Sequence, residues 1–313
     1  MAEARVCVVG GGPWGVALAG AAARAGSRVL LVSRRGGSLP EGVVRSASTA
    51  RACRESKIVL LAVPSRVARE VAGQVGEHIG GEHFVVHGVR GLVGSALETV
   101  SDVVRQETPT RRVGALGGPV LEADLAAGRP SVMVCGARFP EVNDALVEAF
   151  ASPNLRMYPT HDLRGLEWGS ALVGCLALAA GYAQGLRMNA GLVAAFMIRS
   201  VNEAARIAVS AGGEDRTLLG LAGYGDLLAA IIQDDRPEII LGRALAMGKS
   251  TEEATQEARL RVEAVELVPR VLAWAETRGV RAPIFRAVAK GILGGQPPEK
   301  LLHDLMTLPM ERA

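Results

Sequence analysis

The sequence predicts an α/β protein: a doubly wound parallel sheet in the first half, followed by an all-helical second half. Three observations carry this. Short β-branched apolar runs alternate with helical stretches through the first half, strand signals almost vanish from Leu163 onward, and the turn-rich stretch "ASPNLRMYPTHD" (151–162) lies between. Strands that read as unbroken apolar runs and alternate with helices belong to a parallel sheet covered on both faces. Domains run roughly 100–200 residues. The 313 residues therefore divide, on this reading, into 1–158 and 159–313.

The elements come in order. "RVCVVGG" (5–11) is a β-branched run that ends in glycines, and the Ala-rich 15–26 is a helix that stops at Gly26. Buried strands are predicted over 27–35, 56–65, 82–91, 111–119 and 130–137, with helices over 66–79 and 94–107 among them. Beyond the boundary, helical spacing of Ala, Leu, Ile and Val runs through 163–187, 190–211, 215–233, 236–247, 251–278 and 282–294.

Hydrophobic residues make up 49% and charged residues 21%, an ordinary globular balance. A net charge of +3 with no basic run, and only 4% aromatic residues, argues against a nucleic-acid partner. Cys7, Cys53, Cys135 and Cys175 show no metal-ligand spacing, so buried reduced thiols and no metal are expected. The beginning, "MAEARVCVVGGG", lacks a signal-like region. The apolar run 171–180 is shorter than the ~20 residues that span a bilayer. A cytoplasmic protein with no membrane partner is the expectation.

"VVGGGPWGVALAG" sets Gly10, Gly12 and Gly15 in G-x-G-x-x-G register between a predicted strand and a predicted helix. In that setting the pattern is the dinucleotide fingerprint of a Rossmann-type domain. Gly10 permits the tight turn, Gly12 admits a pyrophosphate to the backbone, and Gly15 lets the helix approach the sheet. Where the second strand ends, an acidic residue ordinarily meets the adenine ribose. Here the end reads Ser33-Arg34-Arg35, which suits a 2′-phosphate and favours NADP over NAD.

With these residues in hand, the chain resembles the bacterial NAD(P)-dependent glycerol-3-phosphate dehydrogenases over nearly its full length. The resemblance rests on "GGGPWG" with Pro13 and Trp14, "AVPS" with Val63 and Pro64, Gly118-Pro119, Asp162/Gly165/Glu167, Gly185-Leu186, Arg199, "GLAGYGDL" (220–227) and "VEAV" with Glu263. It implies a homodimer that interconverts dihydroxyacetone phosphate and sn-glycerol 3-phosphate. It places Val63, Pro64 and Glu263 on the cofactor side and Gly118 on the substrate side.

The chain departs from the family pattern on the substrate side. Val173 stands where the family carries its catalytic lysine, and Gly174 where an asparagine belongs. Arg90 replaces a second site lysine, Asn189–Phe196 lacks the family's aspartate, asparagine and lysine in their register, and Arg236 lies one position out of the phosphate-gripping register beside Glu238. Asp226 is retained. It is expected either to find a new cation, Arg90 or Arg199 by resemblance, or merely to cap its helix. His87, and less so His161, could act as a substitute proton donor. Three functions stay open: the usual reaction with a substitute acid, a nicotinamide-binding sensor or partner without turnover, and an oxidoreductase for a different small molecule.

Overall fold

The structure is a computed structural model that describes residues 5–233, 235–258, 262–297, 300, 301, 303 and 307. Two compact units divide between Trp168 and Gly169.

The first unit is built on an eight-stranded sheet. Its opening elements are β1 (Arg5–Val9), α1 (Pro13–Arg24), β2 (Arg28–Val32), β3 (Val43–Ser46) and α2 (Thr49–Arg54). Then come β4 (Ile58–Leu61), α3 (Ala68–Gly76), β5 (Phe84–His87), α4 (Val100–Glu107) and β6 (Val113–Gly117). It closes with α5 (Glu122–Ala126), β7 (Ser131–Ala137), α6 (Pro140–Phe150) and β8 (Leu155–Thr160). Strand order is β3-β2-β1-β4-β5-β6-β7-β8, the doubly wound order in which the chain reverses direction across the sheet between β1 and β4. The unbroken apolar strands supply both faces. Val6 and Val8 join the core under α1 and α6, while Cys7 and Val9 join the core under α2, α3 and α4.

Two local expectations need correction. The sheet is not wholly parallel: β7 runs antiparallel to β6, with Gly114 opposite Ala137, and β8 is again parallel to β7. Between β6 and β7 the chain makes only the five-residue α5, which packs beside α1 through the bond from Arg24 to the Leu125 carbonyl. Gly118 and Gly128 turn the backbone at positive φ (87° and 67°), so the chain returns without a crossover to the far end of the sheet. The helix expected over 94–107 begins only at Val100. Gly94 and Leu97 both have positive φ, Val93 and Glu98 bridge, and Thr99 Oγ1 accepts from Asp102 N at 3.2 Å to cap α4. The short edge strand β3 carries too weak an apolar signal to be read from the sequence, with Val44 well exposed.

The second unit is helical throughout its described residues. α7 (Leu163–Gly185) begins in the first unit and continues into the second, and α8 (Ala190–Ser210) comes next. The single helix expected over 215–233 is broken into α9 (Asp215–Leu219), a π-helical turn (Leu221–Gly225) and α10 (Asp226–Ile232). α11 (Pro237–Ala246), α12 (Thr251–Glu257), α13 (Ala264–Thr277), α14 (Pro283–Ala287) and a second π turn (Val288–Ile292) complete it. The apolar run 171–180 thus lies in a 23-residue helix long enough to cross a membrane, but 94% of its most apolar window is buried inside the protein. Such a helix, apolar all round, is a core element. Its glycines permit close crossing: a Cβ on Gly181 would meet Ile239 O at 2.3 Å, and one on Gly242 would meet Leu178 O at 2.1 Å.

All four cysteines are free and buried. Burial pushes the Cys135 thiol up to about 12 and raises Cys175 as well, through desolvation first and the Glu238 charge second. Because all four thiols are buried away from reagent, the native protein should give almost no fast reaction with a disulfide reagent, and four thiols after unfolding. A fast native reaction at any of the four would contradict this packing.

Candidate functional site

The glycine loop lies at the switch point of the sheet. Gly10 N–H donates to Val32 O at 3.0 Å, and Gly10 has φ +126°, a conformation that excludes side chains. A Cβ there would stand 2.2 Å from Ala62 O, at the end of β4, and one on Gly15 would stand 1.9 Å from Gly10 O. The first and third glycines therefore lock strand, turn and helix together. Gly12 differs, because a Cβ on it would meet nothing within 4 Å. It is the N-cap residue of α1, which has no side-chain cap, no acidic residue in its first turn, and Pro13 at its start. Free N–H groups and the positive end of the helix dipole thus open onto empty space, the environment a diphosphate requires. Val63 Cγ1 flanks the loop, 3.2 Å from the same Gly10 Cβ position, and exposed Pro64 leads the 3₁₀ turn Ser65–Val67. Trp14 Nε1 donates to Gly88 O at 2.8 Å and ties the start of α1 to the end of β5.

Ser33 sits directly against the loop. A Cβ on Gly11 would fall 1.8 Å from Ser33 Oγ, so the middle glycine is constrained as well as Gly10, and the fingerprint spacing alone does not reveal it. Ser33 Oγ accepts from Arg35 N at 3.0 Å and donates to Arg35 O at 3.2 Å. Arg34 and Arg35 extend from this turn, both exposed. The residues present fit a dinucleotide, with basic groups where the adenine ribose would lie.

Other site residues of the first unit gather at the end of β5. Arg90 Nη2 donates to Gly118 O at 3.1 Å, so these two are brought together. His87 is 1% exposed and places Nε2 3.0 Å from Glu167 Oε1. Its Nδ1 accepts from Val89 N at 3.4 Å, which puts the proton on Nε2, facing Glu167. Glu167 also accepts from Ser101 N (2.7 Å) and Ser101 Oγ (2.6 Å), near the start of α4. Both ring nitrogens of His87 are thus engaged within this unit. The Asp162/Gly165/Glu167 motif has a local cause too. Asp162 Oδ1 accepts from Gly165 N at 2.8 Å, and a Cβ on Gly165 would fall 1.8 Å from Asp162 Oδ2.

In the second unit the π turn carries "GLAGYG". Gly225 N donates to Gly220 O at 3.0 Å, and a Cβ on Gly223 would strike Leu218 O at 2.0 Å. Such turns insert an extra residue and re-aim the side chains at their C-terminal end. At that end stands Asp226, with 0% exposure. It is the first residue of α10, whose N-cap is Gly225. Arg236 Nη1 donates to Asp226 Oδ1 at 3.1 Å and to Asp226 O at 3.3 Å, while Arg236 Nε lies 3.4 Å from Glu238 Oε2. Within this unit Arg236 is a cation for Asp226 that the sequence does not point to. α10 rises only about 9 Å, and an arginine just beyond it reaches back along its length. Burial would lower the pKa of Arg236, but the Asp226 and Glu238 charges outweigh it and hold the guanidinium more firmly protonated. Val173 is 2% exposed, and a Cβ on Gly174 would approach Glu238 Oε1 at 3.6 Å. Glu263 stands half-buried at the start of α13. Among the described residues no group of histidines, cysteines and carboxylates could hold a metal.

Fold and loop together define an oxidoreductase-type dinucleotide-binding protein with a helical second unit. The comparisons make this particular. Residues 35–142 match the model of the NAD-dependent glycerol-3-phosphate dehydrogenase N-terminus, and 162–303 match that of its C-terminus. A glycerol-3-phosphate dehydrogenase [NAD(P)+] of Sinorhizobium fredii is 34% identical over 98% of this chain and 96% of its own. Its Acinetobacter baumannii counterpart is 30% identical over 96% and 89%. The crystal structure of glycerol-3-phosphate dehydrogenase from Coxiella burnetii shares the fold, with a TM-score of 0.89 over 97% of this chain and 99% of that one at 24% identity. The chain belongs to the NAD-dependent glycerol-3-phosphate dehydrogenase family, and its cofactor is NAD or NADP.

Proposed function

We propose that this chain binds NADP(H), and NAD(H) more weakly, but does not interconvert dihydroxyacetone phosphate and glycerol 3-phosphate as its relatives are named for doing. The observation that carries the second half is the buried pair of Asp226 and Arg236, 3.1 Å apart. Carbonyl reduction needs a proton delivered to the oxygen as hydride arrives. A guanidinium held protonated by two carboxylates is a poor acid, and Val173 offers none. Committed to Asp226 and Glu238, Arg236 is also a poor grip for a substrate phosphate.

A bound reduced nicotinamide would supply a hydride. The chain's own part is to seat the diphosphate on Gly10, Gly12 and Gly15 with Pro13, Trp14, Val63 and Pro64 around it, and the ribose side on Ser33, Arg34 and Arg35. Glu263 keeps its cofactor-side role on the resemblance alone. His87 acts as a positioning residue that orients Glu167 rather than as an acid. The same reading makes the protein a cytoplasmic homodimer with neither nucleic acid nor membrane as partner.

Two measurements test this. Calorimetry should show NADPH binding more tightly than NADH. Adding dihydroxyacetone phosphate to protein and NADPH should leave the cofactor absorbance unchanged. Turnover above about 1 s⁻¹ would overturn the loss of the usual reaction. Absence of heat with either cofactor would overturn the binding.

A further inference from the structure

Arg45 belongs to none of the motifs above, yet it holds the loop that carries the basic pair. It lies on β3, in register with Leu31 of β2. From there its guanidinium donates through Nη1 to Arg35 O and through Nη2 to Gly37 O at 3.0 Å. Arg35 O is therefore gripped twice, by Ser33 Oγ from below and by Arg45 from the neighbouring strand. Gly37, at φ +113°, provides the turn that brings its carbonyl within reach of the same guanidinium. The outcome is a short loop fastened at two carbonyls, while the Arg34 and Arg35 side chains have no ion-pair partner among the described residues.

Three guanidinium groups in so small a region repel one another, and Ser33–Gly37 contains no carboxylate to offset them. A flexible loop would let Arg34 and Arg35 swing apart. A fastened one keeps them concentrated, which favours a dianionic group over a neutral hydroxyl. We propose that Arg45 is a specificity-determining positioning residue. By clamping the 35–37 backbone it presents Arg34 and Arg35 to the 2′-phosphate of NADP(H), and so sets the preference over NAD(H). The proposal rests on the reading that the first unit binds a dinucleotide.

The experiment is calorimetry of the full chain with NADPH, NADH and adenosine 2′,5′-bisphosphate, comparing wild type, Arg45→Ala and Arg45→Lys. Arg45→Ala should weaken NADPH and the bisphosphate at least ~10-fold and change NADH less than ~2-fold, converting a preference of tenfold or more into near parity. Arg45→Lys should fall between, because an ammonium keeps the charge but cannot fork across two carbonyls. Melting temperatures taken alongside identify any variant that fails to fold, and Arg45→Lys then carries the comparison. A proportional loss for NADPH and NADH would reduce Arg45 to a loop staple and overturn the proposal, as would no loss at all. Wild-type protein that binds neither cofactor would instead sink the reading beneath it. Wild-type protein that binds both equally would overturn the proposal through the Arg34–Arg35 assignment.

Discussion

Gly12→Val should leave the fold intact and remove cofactor binding, whereas Gly10→Ala should damage the fold itself. Gly12 has φ −74° and ψ 170°, a conformation open to any residue, and its Cβ would meet nothing within 4 Å. Valine ranks below glycine as an N-cap, so the exchange should cost roughly 0.5–1 kcal/mol and lower the melting temperature by only about 1–4 °C. The new side chain would instead occupy the space over the free N-terminus of α1, and NADPH affinity should fall at least ~100-fold. Gly10→Ala places a methyl 2.2 Å from Ala62 O at φ +126°. Left-handed strain and overpacking together should cost about 2–5 kcal/mol. The pair separates two duties of a glycine that the motif treats alike. Tight NADPH binding by a folded Gly12→Val protein would show that the open space is not where the diphosphate sits.

Arg236→Met should destabilise the protein by about 3–5 kcal/mol, the usual cost of stripping one partner from a buried ion pair. Asp226 has a fully buried side chain, and that of Arg236 is only 9% exposed, so water cannot replace the lost partner. Removing the guanidinium also leaves Glu238 without its near cation at 3.4 Å. The double variant Asp226→Asn with Arg236→Met should be more stable than the sum of the single losses by about 1–3 kcal/mol, because it removes the charges together. Urea unfolding of the three variants gives the comparison. A loss below about 1 kcal/mol for Arg236→Met would place the pair among solvated surface bridges and remove the main support for a site closed by its own residues.

Local pattern carried much of this molecule. The β-branched runs, the glycine register and the helical spacing beyond Leu163 are short-range signals; the strands and the glycine-loop helix they predict are present, while the helices expected over 215–233, 251–278 and 282–294 are each divided into shorter elements. Family membership was legible for the same reason, since its motifs are contiguous or nearly so and keep their order along the chain. The direction of β7 was not, because it depends on where a five-residue helix packs rather than on any strand's composition. The late start of α4 was missed because 94–99 has the polarity of a helix surface but the backbone of a tight turn.

By itself the sequence determined the α/β-then-helical order, the glycine loop with its basic strand end, and the absence of a lysine at position 173. Only the tertiary structure decided which groups answer one another: Arg236 for Asp226, Ser101 and His87 for Glu167, and Arg45 for the loop after Ser33. The physical reason is that a charge or a hydrogen-bonding atom is satisfied by whatever lies within about 3 Å, whatever its separation along the chain. Glu167 finds its histidine 80 residues away, and no periodicity in a sequence encodes that.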